Sequence, residues 1–157
     1  MTIRLIDTAL LDELTEEAKA SPRGRKNRNF HPADPFPAHR LLNAIEPSSY
    51  VAPHRHLSPM KGETLVVVRG ALGFVALDDE GAVVSAVRLS AAGEAVGCDV
   101  PHGLFHTVVA LEPGTVFFEA KAGPYTPLGD AERAPWAPAE GEPGVPAYLA
   151  RLRALFP

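Results

Sequence analysis

His54 and His56 stand one residue apart, and Glu63 and Gly70 follow at intervals of seven, in the stretch "YVAPHRHLSPMKGETLVVVRG". Alternate side chains of an extended chain share a face, so the two imidazoles are expected to point the same way. Glu63 shares its parity with Leu65 and Val67. A carboxylate on so apolar a face is costly to bury unless it is paired or bound to a metal. Further on, "CDVPHGLFHTVVALEPG" supplies a third imidazole, His106, one residue before a strand that shows Val108 on the same face. Pro101 and Gly103 make the tight turn that delivers it. Three imidazoles and one carboxylate suit one divalent transition metal, and mixed N/O ligation with open positions leaves Fe, Mn, Ni, Co, Cu and Zn all open.

Such a constellation needs a scaffold of strands. From Arg40 to Lys121 the chain reads as seven short strands, "RLLNAIE", "TLVVVRG", "GFVALDD", "VVSAVRL", "EAVGCDV", "HTVVALE" and "TVFFEAK". Turn signals recur about every ten residues, the spacing of a sandwich or barrel. "LDDEGAVV" is a hairpin with Asp79, Glu80 and Gly81 at its tip. No helical pattern separates the strands, which argues against a parallel α/β sheet. Asp7 is placed to cap a helix over Thr8–Ala20 with Leu10, Leu11, Leu14 and Ala18 on its apolar stripe. "SPRGRKNRNFHPADPFP" then breaks the helix as a basic segment followed by a proline-rich one. The tail from 122 is irregular and proline-rich, and Tyr125 and Trp136 are expected to pack it onto the barrel. Pro146 starts a short closing helix with Tyr148, Leu149 and Leu152 on one side. The expectation is one domain over 1–157: helix and basic segment (1–35), barrel (36–121), wrap and helix (122–157).

Composition narrows the function. With 157 residues the chain can build a real core, and 46% hydrophobic against 22% charged residues is a globular balance. A net charge of −4 argues against a general attraction to nucleic acid. The N-terminus lacks the positive and apolar regions of a signal peptide, and no apolar run is long enough for a membrane span. Cys98 is the one cysteine, so no intramolecular disulfide exists and a cytoplasmic location is expected.

The histidine pattern resembles the cupin superfamily, whose motifs are G-x5-H-x-H-x(3,4)-E-x6-G and G-x5-P-x-G-x2-H-x3-N. His54, His56, Glu63 and Gly70 fall on the first, and Pro101, Gly103 and His106 on the second. The chain departs in three places: six residues separate His56 from Glu63, Ser48 replaces the leading glycine, and Ala110 replaces the closing Asn. "SPRGRKNRNFH", "HRLLNAIEPSSYVAPHRH", "HGLFHTVVALEPGTVFFEAKAGPY" and "APWAPAEG" also resemble the WbuC family of cupin-fold metalloproteins. The resemblance implies an all-β jelly-roll barrel with terminal helices, with His54, His56, Glu63 and His106 as metal ligands.

Other side chains are candidates for holding a small-molecule ligand. Arg28, in a cluster with Arg23, Arg25 and Lys26, suits an anion; Lys61 suits one at the barrel mouth. Asn43, between Leu41 and Ile45 on one strand face, could reach inward. His102 and Tyr125 could serve at the rim. Each also has a bland reading, as a solvated turn, a backbone-bonded core amide or a packing residue. Two function classes remain: a metalloenzyme acting on a small polar substrate, such as a sugar or sugar nucleotide, and a non-catalytic binder or sensor with a structural metal. A homodimer is expected, because jelly-roll edge strands need cover.

Overall fold

A computed structural model describes residues 2–157. Helix α1 runs Thr8–Ala20, and the Asp7 carboxylate caps it by accepting the Leu10 N–H at 3.0 Å. Eight strands follow: β1 (Arg25–Asn29), β2 (Ala38–Ile45), β3 (Glu63–Arg69), β4 (Ala71–Leu77), β5 (Val83–Ser90), β6 (Gly97–Val100), β7 (Phe105–Ala110) and β8 (Thr115–Ala122). Helix α2 (Val145–Arg153) closes the chain after a short 3-10 turn at Asp130–Glu132. The strands form two antiparallel sheets, ordered β1-β2-β8-β3-β6 and β5-β4-β7.

The eighth strand, β1, falls in the basic segment after α1, outside the seven strands expected between Arg40 and Lys121. "RKNRN" carries no apolar alternation, so nothing in its pattern signals a strand. It is held by backbone pairing, Arg25 opposite Ile45 through Asn29 opposite Leu41. A short, charged strand at a sheet edge also discourages pairing with other chains.

Strand parity divides the apolar residues among three clusters. Between the sheets lie Ile45, Leu65, Val67, Leu72, Phe74, Val108 and Phe117. The outer face of the larger sheet presents Leu42, Ala44 and Val116 to Leu11, Leu14 and Ala18 of α1. The outer face of the smaller sheet presents Val75, Leu77, Phe105 and Val109 to Leu152 of α2 and to Tyr50 and Trp136. β4 is therefore buried along its whole length, which explains its unbroken apolar run. Of the two tail aromatics, Trp136 packs as expected, edge-on against Phe105 at 5.7 Å, while Tyr125 is 60% exposed.

Gly70 joins β3 to β4 at φ 73°, and a Cβ there would meet Thr115 Oγ1 at 2.6 Å. That hydroxyl donates to the Glu112 carbonyl at 2.7 Å and accepts from the Ala71 N–H at 3.3 Å, so it cannot readily yield. Among the described residues, no helix is long and apolar enough to cross a membrane.

Leu14 is fully buried where α1 meets the larger sheet. Leu14→Ala should lower unfolding free energy by about 2–5 kcal/mol in urea titrations. A loss under ~1 kcal/mol would mean that this interface does not anchor the helix.

Candidate metal centre

Glu63 opens β3 with its side chain between the sheets, at 5% exposure, beside inward Leu65 and Val67. Lys121 on β8 lies directly opposite it. His106 is the second residue of β7, also facing inward, and is 3% exposed. The turn before it contains Gly103 at φ 82°, a left-handed conformation that disfavours a side chain although no atom crowds the position.

His54 and His56 are not on a strand, as the alternation argument assumed. Pro53 denies the segment a donor, and its pairing is reduced to single bridges. His54 exchanges backbone hydrogen bonds with His106, at 3.1 and 2.9 Å, and also bridges to Arg133. The Gly103 N–H donates to the His56 carbonyl at 2.7 Å. From the far side, Arg55 N–H donates to Glu132 O, and the Leu57 N–H donates to the Glu132 carboxylate at 3.0 Å. The Arg55 guanidinium sits 4.3 Å over the Phe105 ring and reaches Asp79 and the Ala131 carbonyl. A loop that would otherwise be mobile is thus clamped between β7 and the tail.

The clamped side chains converge. Ring centroids are 4.7 Å apart for His54 and His106, and 5.3 Å apart for His54 and His56. His54, Glu63 and His106 each offer one ligand atom, all within 4.8 Å of one another, a group that could hold a metal ion. His54 Nδ1 lies 3.0 Å from Ala52 O, and His106 Nδ1 lies 2.9 Å from Leu104 O. A carbonyl only accepts, so both Nδ1 atoms carry the proton and Nε2 of each neutral ring is a lone pair. His106 Nε2 is 2.5 Å from Glu63 Oε1. Two lone-pair atoms at that separation need a shared cation, either a proton or a metal ion. His56 Nε2 is buried without a hydrogen-bond partner, and its 3.6 Å distance to Glu63 Oε2 is too long to count as one. A donor set of imidazole nitrogens and one carboxylate, with one nitrogen orphaned, fits a transition-metal ion.

The electrostatics keep His54 and Glu63 in ligand form. Burial and the neighbouring His106 ring push His54 down to about 4, so it is neutral at neutral pH. Burial alone would raise the Glu63 carboxyl. The His106 and His56 contacts and the Lys121 charge outweigh it and hold Glu63 well below the usual carboxylate range.

A cavity of about 420 Å³ opens beside the cluster, its wall including His54, Glu63, His106, Asn43, Glu119 and Lys121. A smaller one of about 220 Å³ lies on the other side, bordered by His54, His56, Lys61, Lys121 and Tyr125. Asn43 faces inward as its parity suggested and donates to Glu119 Oε2 at 3.1 Å. Lys61 donates to the Pro124 carbonyl at 2.7 Å and so pins the tail. His102 is exposed and lines neither cavity.

Arg28 is not brought to the site. It pairs with Glu13 and Glu17 of α1, at 3.0 and 2.7 Å, and is absent from the wall of either cavity. Its even parity on β1 sends it to the helix-covered face, so it gives no support to anion binding at the metal cluster. Arg23 and Arg25 do border the larger cavity, but both are engaged by Glu140 of the tail, at 2.7 and 2.8 Å.

Glu119 and Lys121 were not found by sequence reasoning. Adjacent Phe117 and Phe118 leave the parity of "TVFFEAK" ambiguous, and only the register with β3 turns Lys121 toward Glu63. His31 and His39 had no informative spacing, yet both are buried and their rings stack at 3.9 Å.

A family model described as a domain of unknown function, DUF6016, matches residues 6–89, more than half of the chain. The chain belongs to the DUF6016 family. The match includes His54, His56 and Glu63 and ends before His106. No curated protein sequence matches this DUF6016 chain. Its structure is similar to that of KdgF from Halomonas sp., with TM-score 0.51 and 19% identity over 66% of this chain and 82% of that one. It is also similar to protein SO0799 from Shewanella oneidensis, with TM-score 0.53 and 17% identity over 68% and 72%. A third likeness is to the SPY1581 protein of unknown function from Streptococcus pyogenes, with TM-score 0.53 and 9% identity over 80% and 92%. At these identities the likeness speaks to fold alone. The DUF6016 chain has the cupin jelly-roll fold.

The tail's grip on the cavity mouth has a pH signature. Hydrogen bonds from Arg23, then from Arg25, outweigh burial and hold Glu140 down at about 2. Its folded pKa lies below its ordinary value, so its stabilisation is present above about pH 4.5 and is lost as pH falls toward 2. The melting-temperature gap between the wild-type protein and Glu140→Gln should narrow over that window. A gap independent of pH would show that the pair contributes nothing through charge.

Proposed function

We propose that this chain is a metal-dependent cupin related to the WbuC proteins, with His54, His56, Glu63 and His106 holding one divalent transition metal. The observation that carries this reading is the buried, partnerless Nε2 of His56, beside two imidazoles whose Nδ1 protons are committed to backbone carbonyls. Three imidazoles therefore gather around one carboxylate, and the His56 Nε2 has no hydrogen-bond partner among the described residues. Such second-partner hydrogen bonds fix tautomer and ring orientation in metal sites.

The favoured activity is chemistry on a small polar molecule, such as a sugar derivative, in the larger cavity. A volume of about 420 Å³ lies in the range of small-molecule sites. Bound there, the metal would act as a Lewis acid toward substrate oxygens. The protein's own contribution is to exclude water, to orient the substrate against Asn43, and to hold the Glu119–Lys121 pair, 2.9 Å apart, within reach of it. With Asn43, this pair lines the cavity with positioned polar groups, which suits binding of a polar substrate more than a purely structural metal site.

Elemental analysis tests the ligand set. Metal content should collapse in His54→Ala, His56→Ala and His106→Ala, and Glu63→Gln should weaken binding less, since an amide oxygen remains. Full occupancy in a His54→Ala/His106→Ala double variant would eliminate this site.

A homodimer forms part of the same reading. β5 has one open edge and exposes Val83, Val84 and Val87. Light scattering should give twice the chain mass; a value near 16.7 kDa at high concentration would count against pairing.

A further inference from the structure

We propose that Lys121 is the substrate-recognition residue, and that the substrate is a small organic anion whose carboxylate meets the Lys121 ammonium while its oxygens occupy open metal positions. This deepens the metal reading above and rests on it.

The placement of Lys121 is the first argument. It faces inward from β8 directly opposite Glu63, and it is 21% exposed. It borders both cavities, as His54 does, so it stands where the two meet beside the cluster. A ligand on the metal from either side passes this ammonium.

Its hydrogen bonding is the second. An ammonium has three N–H donors. Among the described residues, Lys121 has two acceptors, Glu119 Oε1 at 2.9 Å and Glu63 Oε2 at 3.4 Å. One donor is left over, and the longer of the two contacts is weak. Glu119 is itself fixed through its other oxygen by Asn43. The cation is thus anchored and is unlike a mobile surface lysine, so it contacts a ligand without first being ordered.

Charge is the third. Glu63 and Glu119 against Lys121 leave one excess negative charge, and a divalent ion turns that into one positive charge. With Arg23, Arg25 and Lys26 also on its wall, the loaded cavity favours an anionic ligand. Most of the other cations nearby are engaged: Arg23 and Arg25 by Glu140, Arg28 by Glu13 and Glu17, and Lys61 by Pro124 and Thr126. Lys26 borders the larger cavity but pairs with no cluster residue among the described residues. Among the described residues, Lys121 is the cation whose charged group contacts a cluster residue.

The test uses the full chain loaded with Co(II), whose visible absorption reports changes in ligation. Oxalate is the anionic chelating probe, and erythritol is the neutral one. Lys121→Met should bind Co(II) within a few-fold of the wild-type protein, yet bind oxalate about tenfold or more weakly, the loss expected for one charge-assisted hydrogen bond. Should Lys121→Met not fold, Lys121→Gln keeps a donor for Glu119 without the charge and should show the same loss. Erythritol should bind wild type more weakly than oxalate and should not distinguish it from the variant. Equal oxalate affinity in wild type and variant, no oxalate binding to the Co(II)-loaded wild type, or tighter binding of erythritol than oxalate would overturn the proposal. A wild-type chain that takes up no Co(II) fails at an earlier step and removes the metal reading together with this one.

Discussion

The buried charge of Glu63 is the constraint around which the interior is arranged. At 5% exposure, between Leu65 and the opposite sheet, an uncompensated carboxylate would cost several kcal/mol. The fold answers with partners delivered by separate elements. His106 comes from β7, Lys121 from β8, and His56 from the loop before β3. The response extends outward, since Lys121 brings Glu119, and Glu119 brings Asn43 of β2. The polar chain crosses three neighbouring strands of the larger sheet, β3, β8 and β2. Removing one partner of such a network is costly because it strands the others.

The three apolar clusters make this tolerable. Two of them lie outside the barrel, under α1 and under α2 with the tail. Much of the apolar burial therefore does not depend on filling the space between the sheets. Val67, Leu72, Leu89 and Ala110 pack the interior away from the cavity, while Ile45, Leu65, Val108 and Phe117 share its wall with the polar cluster. A scaffold stabilised from its outer faces can keep a cavity at its centre.

The irregular tail positions the site as well as covering the barrel. Glu132 accepts from Leu57 and Gly129, which lowers its pKa, and its backbone carbonyl takes the Arg55 N–H. Arg55 is spread across Phe105, Asp79 and Ala131. The residue between the two loop histidines is thereby fixed on one side, which holds His54 and His56 on the other. Ligands carried by a loop need this support to keep their geometry.

The sequence by itself determined the chemistry of the cluster and the type of most elements. The Thr8–Ala20 helix was legible because Asp7 and an i, i+3, i+4, i+7 stripe are local signals. Inward-facing Glu63 was legible because strand parity needs only its immediate neighbours. Tertiary structure decided what depends on register and on distant contacts. β1 exists because β2 offers an edge, not because "RKNRN" favours a strand. Its parity sends Arg28 to α1, leaving Arg23 and Arg25 at the larger cavity, and Glu140, more than a hundred residues away in sequence, then takes up both. Lys121 meets Glu63 only through the β3–β8 pairing, across fifty-eight positions of chain. Side-chain type and local period are written along the chain. Which charges neutralise one another is settled by strand register, and a shift of one residue would turn every one of them to the opposite face.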